Sequence, residues 1–296
     1  MNDKKNILLA MIAPLLWGTT YIITSTLIPI NRPFFVALVR GLPVGFFLLL
    51  YYRQFPKGIW ILKSFILGTL NIGGFFAFLF IAAYRLPGGI ASILGSIQPI
   101  ICILLSWLLL KEKPSKRSYA SALMAIVGVA LLLLKSTGYM DPIGVIAALI
   151  GAVFMATGVV LTKYWKPPVN NMVFTSWQLF YGSLILTPIT FIFEGGIPHL
   201  NMVNILGLVI VAVLNTALAY SLWFNGIAKL SPTQVTLLSP LNPLIAFLLG
   251  FIFLKQTINT TQIIGVVIIL VSVFISQLKT SPKKETQLSS LEQKGA

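Results

Sequence analysis

The sequence predicts an all-α polytopic membrane protein, with ten transmembrane helices arranged as two inverted-topology five-helix repeats. Three observations carry this expectation. First, 57% of the 296 residues are hydrophobic and 9% charged, with a mean hydropathy of +0.94. A water-soluble fold of this size has too few such charges to cover its surface, so lipid is the more natural solvent. Second, apolar runs of membrane-crossing length follow one another with compact polar punctuation. Third, polar and proline positions in the first half recur at a constant offset in the second.

Taken in order, the predicted spans are 7–28, 34–52, 63–84, 88–110, 118–135, 142–163, 172–193, 205–228, 232–254 and 260–278. At about 1.5 Å per residue, each is long enough for a hydrocarbon core of about 30 Å. The first follows Lys4 and Lys5, as a signal peptide does, yet it is too long for one and more spans follow. It is therefore read as a retained helix. Helix-ending clusters of Pro, Gly, Lys and Arg separate the rest: Pro29–Pro33, Arg53–Gly58, Arg85–Gly89, Lys111–Lys116, Gly138–Pro142, Lys166–Asn171, Glu194–His199 and Ser231–Pro232. The segment 279–296 is polar, lacks Phe, Tyr and Trp, and reads as a flexible tail.

A formal charge of +15 suggests nucleic acid when it gathers on one face of a polar domain, but here the basic residues sit between apolar runs. Sorting them by side places 16 with the ends of the chain and four opposite (Arg32, Arg85, Lys135 and Lys255), with Arg40 left inside a span. The positive-inside rule then puts both termini in the cytoplasm and the protein in the cytoplasmic membrane, with lipid and not nucleic acid as its surroundings. An even number of spans is required for that, which supports ten.

At an offset of 144, Arg85-Leu86 matches Lys229-Leu230, Gln98-Pro99 matches Asn242-Pro243, Leu110-Lys111 matches Leu254-Lys255, and Asn71 matches Asn215. A weaker correspondence pairs Thr20 with Thr157 and Arg40 with Gln178. The halves 7–135 and 142–278 thus each hold five spans. Because five is odd, the second copy enters the membrane from the opposite side, an architecture that secondary transporters use to alternate access around a central site.

Pro99 and Pro243 lie at the midpoints of spans four and nine, where each removes an N–H and loosens the helix. Freed carbonyls at that depth favour a polar cavity, and Gln98 and Asn242 add amides beside them. Asn71 and Asn215, mid-way along spans three and eight, serve either as interhelical glue or as ligand contacts. Arg40, the only formal charge well inside a span, either snorkels outward or faces the cavity to receive a carboxylate. Its repeat partner Gln178 is neutral. The aromatic clusters Trp17, Thr20 and Tyr21, Trp177, Gln178 and Tyr181, and Tyr220 and Trp223 are either interfacial belts or pocket walls. Small residues such as Gly68, Gly73, Gly151 and Gly158 suit close helix packing.

The residues exclude several chemistries. His199 is the only histidine and Cys102 the only cysteine, and no glycine-loop lysine, HExxH or carboxylate dyad occurs. No catalytic residue, metal or cofactor is therefore predicted, and the chain is not expected to be an enzyme. No Asp or Glu lies deep in a span, so Glu112, at the cytoplasmic end of span four, is the one acidic candidate for coupling.

These residues carry a resemblance. Trp17-Gly18, Arg40, Leu86 through Pro99, Leu108-Leu109-Leu110-Lys111-Glu112-Lys113, Ala219-Tyr220-Ser221-Leu222-Trp223-Phe224 and Leu230-Ser231-Pro232 through Pro243 together resemble the drug/metabolite transporter superfamily, in its EamA-type ten-helix branch, over residues 7–278. Glu112 matches the family's frequent acidic residue after span four, whereas Gln256 replaces it in the second copy. The resemblance implies two inverted five-helix bundles and a central cavity lined mainly by spans one, three, four, six, eight and nine. It also implies small organic solutes, commonly exported amino acids or metabolites, and in some members purines or organic cations.

The expected function is alternating-access export of a small organic metabolite, with neutral or zwitterionic amino acids bearing apolar or aromatic side chains favoured, by a monomer or weak homodimer. A facilitator or a multidrug, organic-cation or purine transporter of the same fold, and a lipid-modifying membrane enzyme or non-transporting scaffold, are the alternatives.

Overall fold

The structure is a computed structural model that describes residues 2–28, 32–86, 90–133, 141–254 and 259–278. The predicted tail 279–296 and Gln256 lie outside the described residues, as do the loop positions 29–31, 87–89 and 134–140.

The described secondary structure is helical throughout, and ten helices are long and apolar enough to cross a membrane. The first two spans are α1 (Asn2–Leu27) and α2 (Pro33–Tyr52). The third consists of α3 (Ile59–Gly68), a π-helical segment (Thr69–Gly73) and α4 (Gly74–Arg85). The fourth is broken into α5 (Ile90–Gly95) and α6 (Gln98–Leu110). Next come α7 (Lys116–Leu133), α8 (Pro142–Trp165) and α9 (Asn171–Glu194). The eighth span repeats the pattern of the third: α10 (Met202–Ala212), a π-helical segment (Val213–Leu218) and α11 (Ala219–Lys229). The ninth repeats that of the fourth, α12 (Pro232–Thr236) and α13 (Leu241–Leu254), and α14 (Thr260–Gln277) closes the set.

Local chemistry sets these boundaries. Asp141, Asn170, Asn201, Ser231 and Asn259 each cap a helix by accepting a backbone N–H of its first turn, and the last three form reciprocal boxes with Asn204, Gln234 and Gln262. The breaks before Pro99 and Pro243 follow from proline, which removes one donor and clashes with the preceding turn. The π-helical segments carry no such signature in the sequence and were not anticipated. Each holds one of the two buried asparagines, Asn71 and Asn215.

The spans pack as long pairs. α2 lies along α9 and α7 along α14, while α4 and α6 rest on α8 and α1 contacts α11 and α13. Backbones come close where Gly68 and Gly73 of span three cross Gly182 of α9. A Cβ built on Gly182 would stand 2.4 Å from the Gly68 carbonyl oxygen. Large apolar side chains such as Ile192, Phe193 and Phe253 cover the outside of the bundle, as a lipid-facing surface requires.

At the end of the bundle away from most of the lysines, Glu194 closes α9 onto α2. Its two carboxylate oxygens accept from Phe34 N–H at 2.7 Å and Phe35 N–H at 2.8 Å, and Arg32 donates to its carbonyl. The carboxylate thereby caps the positive end of α2. Glu194→Ala is expected to destabilise the protein by about 1–2 kcal/mol, read as a lower melting temperature in detergent. An unchanged melt would remove this role.

At the same end, Arg85 donates to Asp141 Oδ2 at 2.9 Å. That hydrogen bond, followed by the one from Ile143 N–H, holds the Asp141 carboxyl below its ordinary range. A depressed carboxylate stabilises the fold at neutral pH and loses that contribution as pH falls through its folded pKa. Both groups are solvent-exposed, so the effect on stability is small. In Arg85→Gln, infrared titration of the carboxyl band should show Asp141 protonating at higher pH than in the wild type.

Candidate functional site

Two adjoining cavities of about 320 Å³ and about 200 Å³ occupy the interior, and both are walled by Trp17, Phe75, Leu79, Gln98, Ser239 and Asn242. The larger extends along Ala91, Ser92 and Gly95 of α5 and along Ala148, Gly151 and Ala152 of α8. These positions lie in the half of each span away from Lys111 and Trp165. The opposite half is packed shut: Tyr220, Trp223, Phe224, Ile227, Val235 and Leu238 are all 0–1% exposed. The cavity is thus closed toward the lysine-rich end.

Asn242 and Gln98 reach the cavity because the two broken spans meet there. Gln98 is the first residue of α6, and Asn242 follows the turn at Leu237–Pro240. Pro243 lines the larger cavity, while Pro99 is buried within its own helix and lines neither.

Arg40 projects into the smaller cavity. At 5% exposed it does not snorkel. Its Nε donates to Thr216 Oγ1 at 2.9 Å, its Nη2 donates to the Asn215 carbonyl at 3.0 Å, and its guanidinium carbon lies 4.9 Å from the centre of the Phe76 ring. The π-helical register makes this possible. Ala219 N–H bonds back to Leu214 O, leaving the Asn215 carbonyl free for side chains, and Trp17 Nε1 donates to it as well at 3.0 Å. Among the described residues Arg40 thus pairs with a hydroxyl, a carbonyl and a ring face, and no carboxylate lines either cavity. A guanidinium so placed lacks a counter-ion, and a buried charge without one is costly.

Aromatic rings form the wall next to it. Trp17 lies 5.0 Å from Tyr220 and 5.1 Å from Trp223, centroid to centroid, and Tyr220 packs edge-on to Phe76 at 6.4 Å. Thr20 lines the same cavity and accepts from Asn215 Nδ2 at 2.8 Å.

The remaining expected site residues are placed elsewhere. Asn71 Nδ2 donates to Gln178 Oε1 at 2.6 Å, and both side chains are fully buried between helices. Asn215 also is fully buried; its amide ties α1 through the Leu16 carbonyl at 2.6 Å. Trp177 is anchored to the Gln54 carbonyl at 2.7 Å, at the lysine-rich end. These four act as ties between helices because a buried amide or indole N–H in an apolar bundle takes the nearest acceptor. The side chain of Tyr21 is outside the described residues. Phe76, Thr216 and Ser239 were not anticipated. Ser239 stands four residues before Pro243, where a proline disturbs the helix, and that spacing was its only signal in the sequence.

The sequence profile of the EamA-like transporter family matches residues 4–134 and, a second time, 142–278. The chain belongs to this family. EamA-like proteins are membrane transporters, so the chain is a multi-pass membrane transporter and not an enzyme. Protein PecM of Dickeya dadantii is 40% identical over 286 residues, covering 96% of each chain. A probable amino-acid metabolite efflux pump of Salmonella typhimurium is 25% identical, covering 93% of this chain and 95% of its own. A solved crystal structure superposes with a TM-score of 0.79 at 20% identity over 93% of this chain and 96% of its own, which shows the same fold. Among the described residues no group of His, Cys, Asp and Glu could hold a metal ion.

Proposed function

We propose that the chain is an alternating-access exporter of small organic carboxylates, among them neutral or zwitterionic amino acids with apolar or aromatic side chains. The observation that carries this reading is Arg40: a guanidinium that has no carboxylate partner among the described residues, facing a chamber with aromatic walls that is closed toward the lysine-rich end. A solute carboxylate supplies the missing counter-charge, and the rings of Trp17, Tyr220 and Phe76 take an apolar body. The names of the Salmonella typhimurium relative and of its counterpart in Escherichia coli support export of amino-acid metabolites.

Alternation is proposed to come from two inverted halves, 7–135 and 142–278, with both termini cytoplasmic. Paired features support it. Arg40 of the second span bonds the buried asparagine of span eight, and Gln178 of the seventh bonds the buried asparagine of span three. The lysine-rich, packed end is then cytoplasmic, and the conformation is outward-facing.

Counterflow in sealed proteoliposomes tests the transport reading. Vesicles loaded with unlabelled phenylalanine should accumulate labelled phenylalanine, and excess phenylalaninamide should compete weakly. Accumulation of organic cations with none of any carboxylate solute would overturn it.

A further inference from the structure

We propose that the chamber has a second recognition pole, separate from Arg40, which donates hydrogen bonds to a neutral acceptor. The favoured solutes are then organic acids that also carry a carbonyl-type acceptor, as an N-acylated amino acid does. This rests on the carboxylate reading of Arg40 given above and extends it to the other end of the solute.

The pole begins with Trp223. Its side chain lines the smaller cavity at 0% exposure, and its Nε1–H has no hydrogen-bond partner among the described residues. Trp17, stacked beside it at 5.1 Å, has its own N–H satisfied by the Asn215 carbonyl at 3.0 Å. Two neighbouring indoles thus differ in one respect: the deeper one is left without an acceptor. An indole nitrogen is a donor only, so whatever satisfies it must accept. Buried donors are almost always paired, and an unpaired one beside a cavity points to a ligand atom.

Gln98 adds a second, independent donor. Its Nε2 also has no partner among the described residues, the residue is 9% exposed, and it lines both cavities. It opens the 13-residue helix α6, whose N-terminus has no side-chain cap. The positive end of that helix therefore faces the same space as two free donors.

The ring contacts give the solute its orientation. Arg40 stacks on Phe76, Phe76 meets Tyr220, Tyr220 meets Trp17, and Trp17 meets Trp223. Arg40 and Trp223 thus border one aromatic wall with Trp17 between them, which shares the Asn215 carbonyl with Arg40 and packs on Trp223. A flat apolar body along that wall places its carboxylate on Arg40 and an acceptor on Trp223 and Gln98. The ammonium of a free amino acid gains no anionic partner, because among the described residues no Asp or Glu lines the cavities. N-acylation removes that charge and adds a carbonyl oxygen.

Binding to the full-length protein in nanodiscs tests this with N-acetylphenylalanine, 3-phenylpropionate and phenylalanine. N-acetylphenylalanine is expected to bind about tenfold tighter than 3-phenylpropionate, which lacks the acceptor. Trp223→Phe and, separately, Gln98→Met should each weaken N-acetylphenylalanine several-fold more than 3-phenylpropionate. Equal wild-type affinities for the two acids would overturn the second pole, as would variants that weaken both acids alike. If both acids bind equally and that binding depends on Arg40, only the second pole falls. If neither binds, the carboxylate reading falls with it. Should one variant fail to fold, the other variant and the wild-type comparison still decide.

Discussion

Replacement of Arg40 by Gln is expected to reduce transport of a carboxylate solute by about 10- to 100-fold while affecting its amidated analogue far less. The magnitude follows from hydrogen bonds to a charged group, worth about 1.5–3 kcal/mol, in a chamber where no other cation competes. Gln keeps a donor for Thr216 or for the Asn215 carbonyl, the two groups that hold Arg40 at 2.9 and 3.0 Å. The change therefore removes the charge and leaves part of the tie between α2 and the eighth span. Arg40→Lys retains the charge but not the planar fork, and is expected to fall between Gln and the wild type. The measurement is counterflow of phenylalanine against phenylalaninamide in matched proteoliposomes, normalised to inserted protein. Equal losses for acid and amide would assign Arg40 to helix packing alone.

The second large effect is on stability. Gly182→Ala is expected to cost about 1–3 kcal/mol or to prevent folding, because overpacking forces the backbone to move. A methyl group at 182 would stand 2.4 Å from the Gly68 carbonyl oxygen and 2.7 Å from Ile72 Cβ, and the first of these atoms belongs to a backbone that cannot rotate away. The strain would fall where span three turns π-helical and where Asn71 pairs with Gln178. Gly95→Ala is the control, since a Cβ there meets nothing within 4 Å. Melting in detergent should separate the two variants clearly. A Gly182→Ala protein that melts with the wild type would show that α9 and span three do not cross so closely.

The bundle was readable from the sequence at the level of which segments are helices and where they end. Hydropathy runs located all ten spans, and Pro99 and Pro243 marked the two breaks. The π-helical segments were not readable, because an extra residue per turn changes no composition. The cap boxes, such as Asn259 with Gln262, were legible in principle as polar residues three apart at a span's start.

The site was read in part. Trp17, Thr20, Arg40, Gln98, Tyr220, Trp223, Asn242 and Pro243 were singled out as polar, aromatic or proline residues at depths from the span ends to the middle, and they line the two cavities. Asn71 and Gln178 satisfied the same criterion and instead bond each other. Depth did not separate the two groups, since Arg40 and Gln178 are each the eighth residue of their helices.

By itself, then, the sequence determined position along the membrane normal: the number of spans, their breaks, the lysine-rich end, and the single charge at depth. Only the tertiary structure decided azimuth, meaning which face of each helix turns toward the chamber and which toward a neighbour or lipid. Lipid and protein interior are equally apolar, so a membrane helix needs no polar face to mark its outside, and Trp223 at the core and Phe193 on the exterior look alike in one dimension. Packing settles the difference, through glycine crossings and through the partner that each buried polar atom finds.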